Sequence, residues 1–299
     1  MSDIQINIII FGSHRCGKTS ILSTMQSCFE QKFSESQLTM NVADKDTLYT
    51  LQNANREFYS LFQEQYNHFI DNITTPLDIE TCKFKIELRN KNTDSIIANF
   101  IEYPNELLDK KEKFDELKMV MKNIHVIIVA IDSPYLMEET VRSNEKYTIG
   151  IYNNKRNYCN QINEWIRITN YFNKKTKLPI KMILFVPLKC EKYYHTNQMD
   201  KLNTKVHIAY QNALNFFQYN EKFFEVAITP ILTLGGEKGG IEFSDFERDE
   251  NNHIIEDPYL GTPQRTIYKF TKNTKYAWIG AAVGAVATAL SFITGKVST

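Results

Sequence analysis

The stretch Ile4-Gln5-Ile6-Asn7-Ile8-Ile9-Ile10-Phe11-Gly12-Ser13-His14-Arg15-Cys16-Gly17-Lys18-Thr19-Ser20 decides the fold. Its first part, up to Phe11, is β-branched and largely apolar, which suits a strand buried in a parallel sheet better than the start of a helix. From Gly17 onward Ile21, Leu22, Met25 and Phe29 recur at helical spacing. Between strand and helix lies GSHRCGKT, a GxxxxGK[ST] loop flanked as that motif requires. Glycines at both ends let the backbone curl so that successive N–H groups point inward. The following helix adds the positive end of its dipole, and the nine residues Gly12, Ser13, His14, Arg15, Cys16, Gly17, Lys18, Thr19 and Ser20 read as a cradle for a chain of phosphates. In such a loop Lys18 bridges β- and γ-phosphates, and the Thr19 hydroxyl binds Mg2+. Cys16 stands near a helix N-terminus, where a thiolate is favoured, although a small loop residue is the simpler reading.

Working outward, Leu48, Leu51, Phe58, Leu61, Phe62, Tyr66, Phe69 and Ile70 trace a long amphipathic helix over residues 46–71, inserted after the first strand and helix. The runs Cys82 to Leu88 and Ile96 to Ile101 are expected to pair as an antiparallel hairpin. A charged helical stretch from Glu106 to Lys122 precedes a buried strand, Ile124 to Ile131, closed by Asp132-Ser133-Pro134. Ile162, Trp165, Ile166 and Thr169 mark a helix before the strand Ile180 to Val186. A helix around Leu202 to Phe217 and a last strand near Phe223 to Leu232, ended by Gly235-Gly236, complete the pattern. Strands alternating with helices, with one hairpin, predict a three-layer α/β fold of the P-loop NTPase kind. The sheet is expected to be mostly parallel with one antiparallel edge strand. The domain is expected over residues 1–270 with a helical insertion around 30–72, followed by a C-terminal hydrophobic helix within 271–299.

Composition narrows the function classes. The 299 residues are 42% hydrophobic and 23% charged, with a formal net charge of zero, so no basic excess recruits nucleic acid and no nucleic-acid partner is expected. The five cysteines, Cys16, Cys28, Cys82, Cys159 and Cys190, are widely spaced and form no CxxC pair. This argues against a disulfide framework or a zinc site and for a reducing cytosol. The six histidines are scattered without ligand spacing, and the N-terminus lacks the basic region and cleavage site of a signal peptide.

A magnesium-nucleotide site needs an acid at the end of a neighbouring strand. Glu102, in Ile101-Glu102-Tyr103-Pro104-Asn105-Glu106, stands there, with a solvated strand-end carboxylate as the alternative. At this point the sequence resembles bacterial GTPases of the YcjX-like and double-GTPase kinds, whose second switch carries a D-Y-P-G-E-like stretch. Glu102 replaces the Asp of that pattern, and Asn105 replaces the Gly that senses the γ-phosphate. Such GTPases place an N/T-K-x-D element after the strand that follows the third helix, and Pro187-Leu188-Lys189-Cys190-Glu191 occupies that place. Lys189 would lie along base and ribose, and Glu191 would accept from guanine N1 and N2, a donor pair adenine does not offer. Leu188 has no means of replacing the Asn or Thr, and a solvated loop is the competing reading. Asn72-Ile73-Thr74-Thr75-Pro76-Leu77 resembles a first switch in which Thr75 completes the Mg2+ shell. A plain turn is the equal alternative. The resemblance covers residues 4–240 and implies GTP/GDP and Mg2+ as ligands, with Thr19, Thr75 and Glu102 at the metal and Lys18 and Thr75 at the reacting phosphate.

Between Lys275 and Lys296 the chain carries no charge: Tyr276-Ala-Trp278-Ile-Gly280-Ala-Ala-Val-Gly284-Ala-Val-Ala-Thr288-Ala-Leu-Ser291-Phe-Ile-Thr-Gly295. As a helix it would extend about 30 Å, the thickness of a bilayer's hydrocarbon core. Lys269, Lys272 and Lys275 flank it on the side expected to stay cytosolic, and small residues four apart permit close helix pairing. Residues 276–295 are thus expected to associate with a membrane, placing the protein in the cytoplasm at the membrane's inner face. A helix packed on the sheet is the alternative. The leading expectation is a slow GTPase switch controlling this anchor, acting with further copies of itself or a partner from the same operon; the resemblance implies a bacterial antiphage setting. A non-hydrolysing nucleotide-binding membrane effector or scaffold is the alternative. A P-loop kinase would need an acceptor site and lid arginines that nothing in the chain specifies.

Overall fold

A computed structural model describes residues 4–12, 16–22, 38–63, 80–88, 95–104, 111–137, 168, 179–180, 182–220, 224–231, 235–236, 239–246, 249–251 and 265–270. Seven strands form the main sheet: β1 (Ile4–Gly12), β2 (Leu38–Val42), β3 (Glu80–Leu88), β4 (Ile96–Pro104), β5 (Val126–Asp132), β6 (Met182–Leu188) and β7 (Glu225–Ile228). Their order across the sheet is β2-β3-β4-β1-β5-β6-β7. From β4 to β7 all neighbours are parallel, whereas β3 opposes β4 and β2 opposes β3. The hairpin expected from 82–101 is therefore present as β3 and β4. The outermost strand is β2, whose five residues are too short to announce themselves inside a segment dominated by a helical pattern.

The pleat sends alternate residues of each strand to opposite faces, and the apolar positions sort accordingly. Ile6, Ile8 and Ile10 of β1 join Phe84, Phe100, Ile128, Leu184 and Val186 in one core, together with Ile21 and Leu22 of the helical residues 18–22 and Leu51 of the helix Lys45–Gln63. Ile9 and Phe11 face the other way, into a core with Val129, Phe185, Leu117 of the helix Lys111–Val120, and Leu202, Val206 and Phe217 of the helices Met199–Ala209 and Gln211–Tyr219. Two cores, one on each side of the sheet, make three layers. Central strands must then be apolar on both faces, and every residue of β5 and β6 is buried.

The inserted helix begins at Lys45, and Asp44 caps it by accepting the Thr47 amide at 2.8 Å. Thr47 Oγ1 in turn accepts the Lys83 amide at 2.8 Å, and Asp44 meets the Lys83 ammonium at 3.2 Å. The helix is thereby fastened to β3 at its first turn. Residues 64–71 of the expected helix, and the helix expected around Ile162 to Thr169 apart from the buried Ile168, lie outside the described residues.

Beyond β7 the chain forms a second, antiparallel sheet of β8 (Gly235–Gly236), β9 (Gly239–Phe246) and β10 (Arg265–Phe270), ordered β10-β9-β8. The glycines that were expected to end the last strand instead open this sheet. Its β9 lies against the short helices Ser133–Met137 and Glu191–His195, which follow β5 and β6. Among the described residues no helix is long and apolar enough to cross a membrane. The uncharged stretch 276–295 lies outside them.

The arrangement is consistent with a P-loop fold. β1 sits at the centre, and the chain leaves it toward β2–β4 on one side and returns on the other as β5–β7. The crevice beyond the carboxyl end of β1, where the strand order reverses, is where open α/β sheets bind ligands.

Candidate functional site

Gly12 is the last residue of β1, beside Pro104 of β4. It has no room for a side chain: a Cβ would come 2.6 Å from Cys16 Sγ and 3.0 Å from Ala130 Cβ. Gly17 is constrained differently, by a φ of 109° that side chains rarely adopt. Cys16 is fully buried and fills the space beneath Gly12, so its sulfur serves packing within the loop. Ser13, His14 and Arg15 lie outside the described residues.

Lys18, Thr19 and Ser20 form the first turn of the helical residues 18–22. Lys18 is buried, and its ammonium donates to the Gly12 carbonyl at 2.8 Å, folding the side chain back across the mouth of the loop. A phosphate oxygen there would replace a neutral acceptor by a charged one, roughly doubling the strength of the hydrogen bond. Ser20 is buried beneath the loop.

Thr19 Oγ1 donates to Glu102 Oε2 at 3.1 Å. Register explains the meeting: Glu102 lies opposite Ile10 in the β1–β4 ladder, two residues before each strand runs out. Glu102 is only 4% exposed, so it is not the solvated strand-end carboxylate of the alternative reading. One hydroxyl oxygen and one carboxylate oxygen, side by side at the edge of a phosphate loop, fit Mg2+. That ion takes hard oxygen ligands and in nucleotide sites uses one or two protein groups plus waters and substrate phosphates. Among the described residues no cluster of three or more His, Cys, Asp or Glu forms a self-sufficient metal cage. Thr75, the other expected ligand, lies outside them. Next to Glu102, Tyr103 is fully buried against Phe11, ring centroids 5.5 Å apart. Burial, with help from Glu116, pushes its phenol up to about 12.

Two strands away, Lys189 follows β6 directly and Glu191 opens the helix Glu191–His195. Both are buried rather than solvated. The Lys189 ammonium lies 2.7 Å from Asp132 Oδ2 at the end of β5, with both side chains nearly out of contact with water. Lys189 also carries a φ of 56°, a left-handed conformation that costs a residue with a side chain about 1–2 kcal/mol. The adjoining Cys190 thiol donates to the Pro187 carbonyl at 3.1 Å and sits 3.3 Å from Ser133 Oγ. Burial pushes this thiol far up, the carboxylates of Glu191 and Asp132 push the same way, and hydrogen bonds from Ser133 and the Ile231 backbone oppose them only in part. Leu188 is apolar and fully buried, and its Cδ1 lies 3.4 Å from where a Cβ added at Gly17 would be, so the end of β6 approaches the GxxxxGK[ST] loop.

The carboxyl ends of β4, β1, β5 and β6 thus carry Glu102, Gly12, Asp132 and Lys189 in a row across the sheet. In the sequence Asp132 is legible only as the residue that closes β5. The available signal was an acid closing an otherwise apolar strand, and its partner became visible only when β5 and β6 paired.

No known family profile matches the sequence, and no characterised protein matches it by sequence. Among solved structures, the chain is similar to the S. cerevisiae Ski7 GTPase-like domain bound to GDP and inorganic phosphate, at 14% identity, TM-score 0.41, over 87% of this chain and 47% of that one. The same domain bound to GTP gives 16% identity and TM-score 0.42, over 87% and 48% of the two chains. The chain spans about half the length of these structures.

Proposed function

We propose that this protein binds GTP and GDP with Mg2+ at the carboxyl end of β1 and hydrolyses GTP slowly, as a switch. The observation that carries the reading is the Thr19–Glu102 hydrogen bond of 3.1 Å, which sets a helix-start hydroxyl and a strand-end carboxylate side by side at the rim of a phosphate loop. A structural loop has no need of that pairing, and a magnesium-nucleotide site does.

Under this reading the amides from Gly12 to Thr19 hold the phosphates, and Lys18 exchanges the Gly12 carbonyl for β- and γ-phosphate oxygens. Thr19, Thr75 and Glu102 would hold the metal, which would supply neutralisation of the charge that develops on the phosphates. Water attacks the γ-phosphorus in line as its bond to the β–γ bridging oxygen breaks, GDP leaves with that oxygen, the water's proton passes to the released phosphate, and Lys18 stabilises the charge spreading over the transferred group. No glutamine or arginine of the chain is assigned to orient that water, so slow turnover is the expectation. Lys189 and Glu191 supply the base side, with Glu191 accepting from guanine N1–H and the 2-amino group.

The uncharged residues 276–295 support the further reading that nucleotide state governs a membrane-associating C-terminal helix at the cytoplasmic face, in self-assembly or with a partner encoded nearby. An antiphage setting follows from the resemblance to double-GTPase proteins. Asn105, in place of a γ-phosphate-sensing glycine, favours a second version in which the protein binds nucleotide as a non-hydrolysing effector or scaffold. Calorimetric titration with GTP, GDP and ATP in magnesium, with Lys18→Ala as control, tests the site. Equal binding of ATP and GTP would remove the guanine assignment. Phosphate release by the wild type above the Lys18→Ala background selects the switch over the effector.

A further inference from the structure

We propose that Asp132 is a positioning residue for base recognition: by holding the Lys189 ammonium against the end of β5, it fixes the left-handed turn that carries the chain from β6 to Glu191. This rests on the base-side role of Lys189 and Glu191 proposed above, and it names the residue on which their geometry depends.

The first observation is the conformation itself. Lys189 adopts a φ of 56°, and a residue with a side chain stays there only where its surroundings over-determine it. The second is the means of holding it, which amounts to a clamp of two adjacent rungs. Asp132 meets Lys189 at 2.7 Å and Ser133 meets Cys190 at 3.3 Å, so two consecutive residues after β5 grip two consecutive residues after β6. β-Sheet register puts them there, since Asp132 lies opposite Leu188 in the last rung of the β5–β6 ladder. The turn is therefore gripped from the β5 side at Lys189 and Cys190.

Stability alone does not account for charges at this place. A buried ion pair contributes little that well-packed apolar side chains of similar volume would not, so its retention calls for another reason. The reason here is directional. Lys189 stands between two acids, with Asp132 at 2.7 Å from its ammonium and Glu191 two residues further along the chain. With Asp132 ionised, Lys189 is held toward β5. Without that charge, the ammonium's nearest carboxylate in sequence is Glu191, and attraction between them would turn Glu191 from the base toward Lys189.

The test uses the full chain and compares GDP with ADP, both with magnesium, by calorimetry. Asp132→Asn keeps the shape and an acceptor oxygen but removes the charge. The expected result is a preference for GDP over ADP reduced at least tenfold, with most of the loss in GDP affinity, because Lys189 along the ribose serves both nucleotides whereas the Glu191 contact serves guanine alone. Equal losses for both nucleotides would mark Asp132 as merely structural and overturn the proposal, as would an unchanged preference. If Asp132→Asn does not fold, Asp132→Ser, which also removes the charge, is read in the same way. A second variant, Asp132→Asn with Lys189→Gly, removes both the strain and the misdirected ammonium. It is expected to regain part of the lost preference, and failure to exceed Asp132→Asn alone counts against the positioning role. Absence of any guanine preference in the wild type would instead refute the base assignment itself.

Discussion

A Cβ introduced at Gly12 would meet Cys16 Sγ at 2.6 Å, about an ångström inside ordinary contact between carbon and sulfur. Gly12→Ala therefore forces either the sulfur or the start of the phosphate loop to move, and overpacking of this kind costs typically 1–3 kcal/mol. Ala130 closes the other side, its Cβ at 3.0 Å and its carbonyl oxygen at 3.2 Å, so the new methyl has no ready escape. Removing the sulfur with Cys16→Ala leaves a small void worth about 1 kcal/mol by itself. Combining the two changes lets the added methyl take up space the sulfur vacated, so the double variant is expected to be more stable than the sum of the singles by roughly 1 kcal/mol or more. Equilibrium urea unfolding of the four proteins measures this coupling directly. Because the Gly12 carbonyl also accepts from Lys18, the single variant is expected to lose at least tenfold in GDP affinity, or about 1.4 kcal/mol. A Gly12→Ala protein as stable as wild type, or a cycle with zero coupling, would refute this packing of the loop on Cys16.

Gly17→Ala must carry a side chain at a φ of 109° and is expected to lose about 1–3 kcal/mol of stability, read by urea unfolding. Glu102→Gln keeps the shape of the side chain but not its charge. Its nucleotide affinity is expected to become far less dependent on magnesium, measured by titrating GDP with and without a chelator; an unchanged magnesium dependence would remove Glu102 from the metal site. Asp44→Ala removes a helix cap and is expected to cost about 1 kcal/mol at neutral pH. The Thr47 amide holds the Asp44 carboxyl below its ordinary value. Its contribution is therefore complete above the unfolded-state value and is lost as pH falls through the folded one, so wild type and variant should converge in acid. Tyr103 has the opposite sense: its phenol is raised to about 12 when folded. It favours the folded state below pH 10, and that contribution is lost between pH 10 and 12 as the unfolded chain ionises first. The unfolding free energy of Tyr103→Phe should fall less steeply across that window.

Where sequence reasoning reached the fold, it did so through periodicity. β1, β5 and β6 are apolar on both faces because helices cover both sides of the sheet, and no other arrangement buries such runs. The segment 82–101 alternates visibly enough to be read as a hairpin, and Glu102 followed from its place at the end of that hairpin's second strand. Signals failed where they were short or glycine-rich. β2 has five residues beside a helix of nineteen, and Gly235-Gly236, which reads as punctuation, opens a second sheet. The polar clamp between the ends of β5 and β6 was out of reach for a different reason, since its members are 57 residues apart and nothing local in either segment indicates the other.

The amino-acid order by itself pointed to a candidate phosphate loop, because two glycines, a lysine and a threonine at that spacing between strand and helix need no distant partner; the structure ends β1 at Gly12 and has helical residues from Lys18. Tertiary structure alone decided how the surroundings are joined: the direct 3.1 Å bond between Thr19 and Glu102, which the sequence could only place at a common site, and the hold of Asp132 on Lys189. These contacts arise from strand order and register, which are set by burial of whole faces of the sheet and not by any residue's immediate neighbours in the chain.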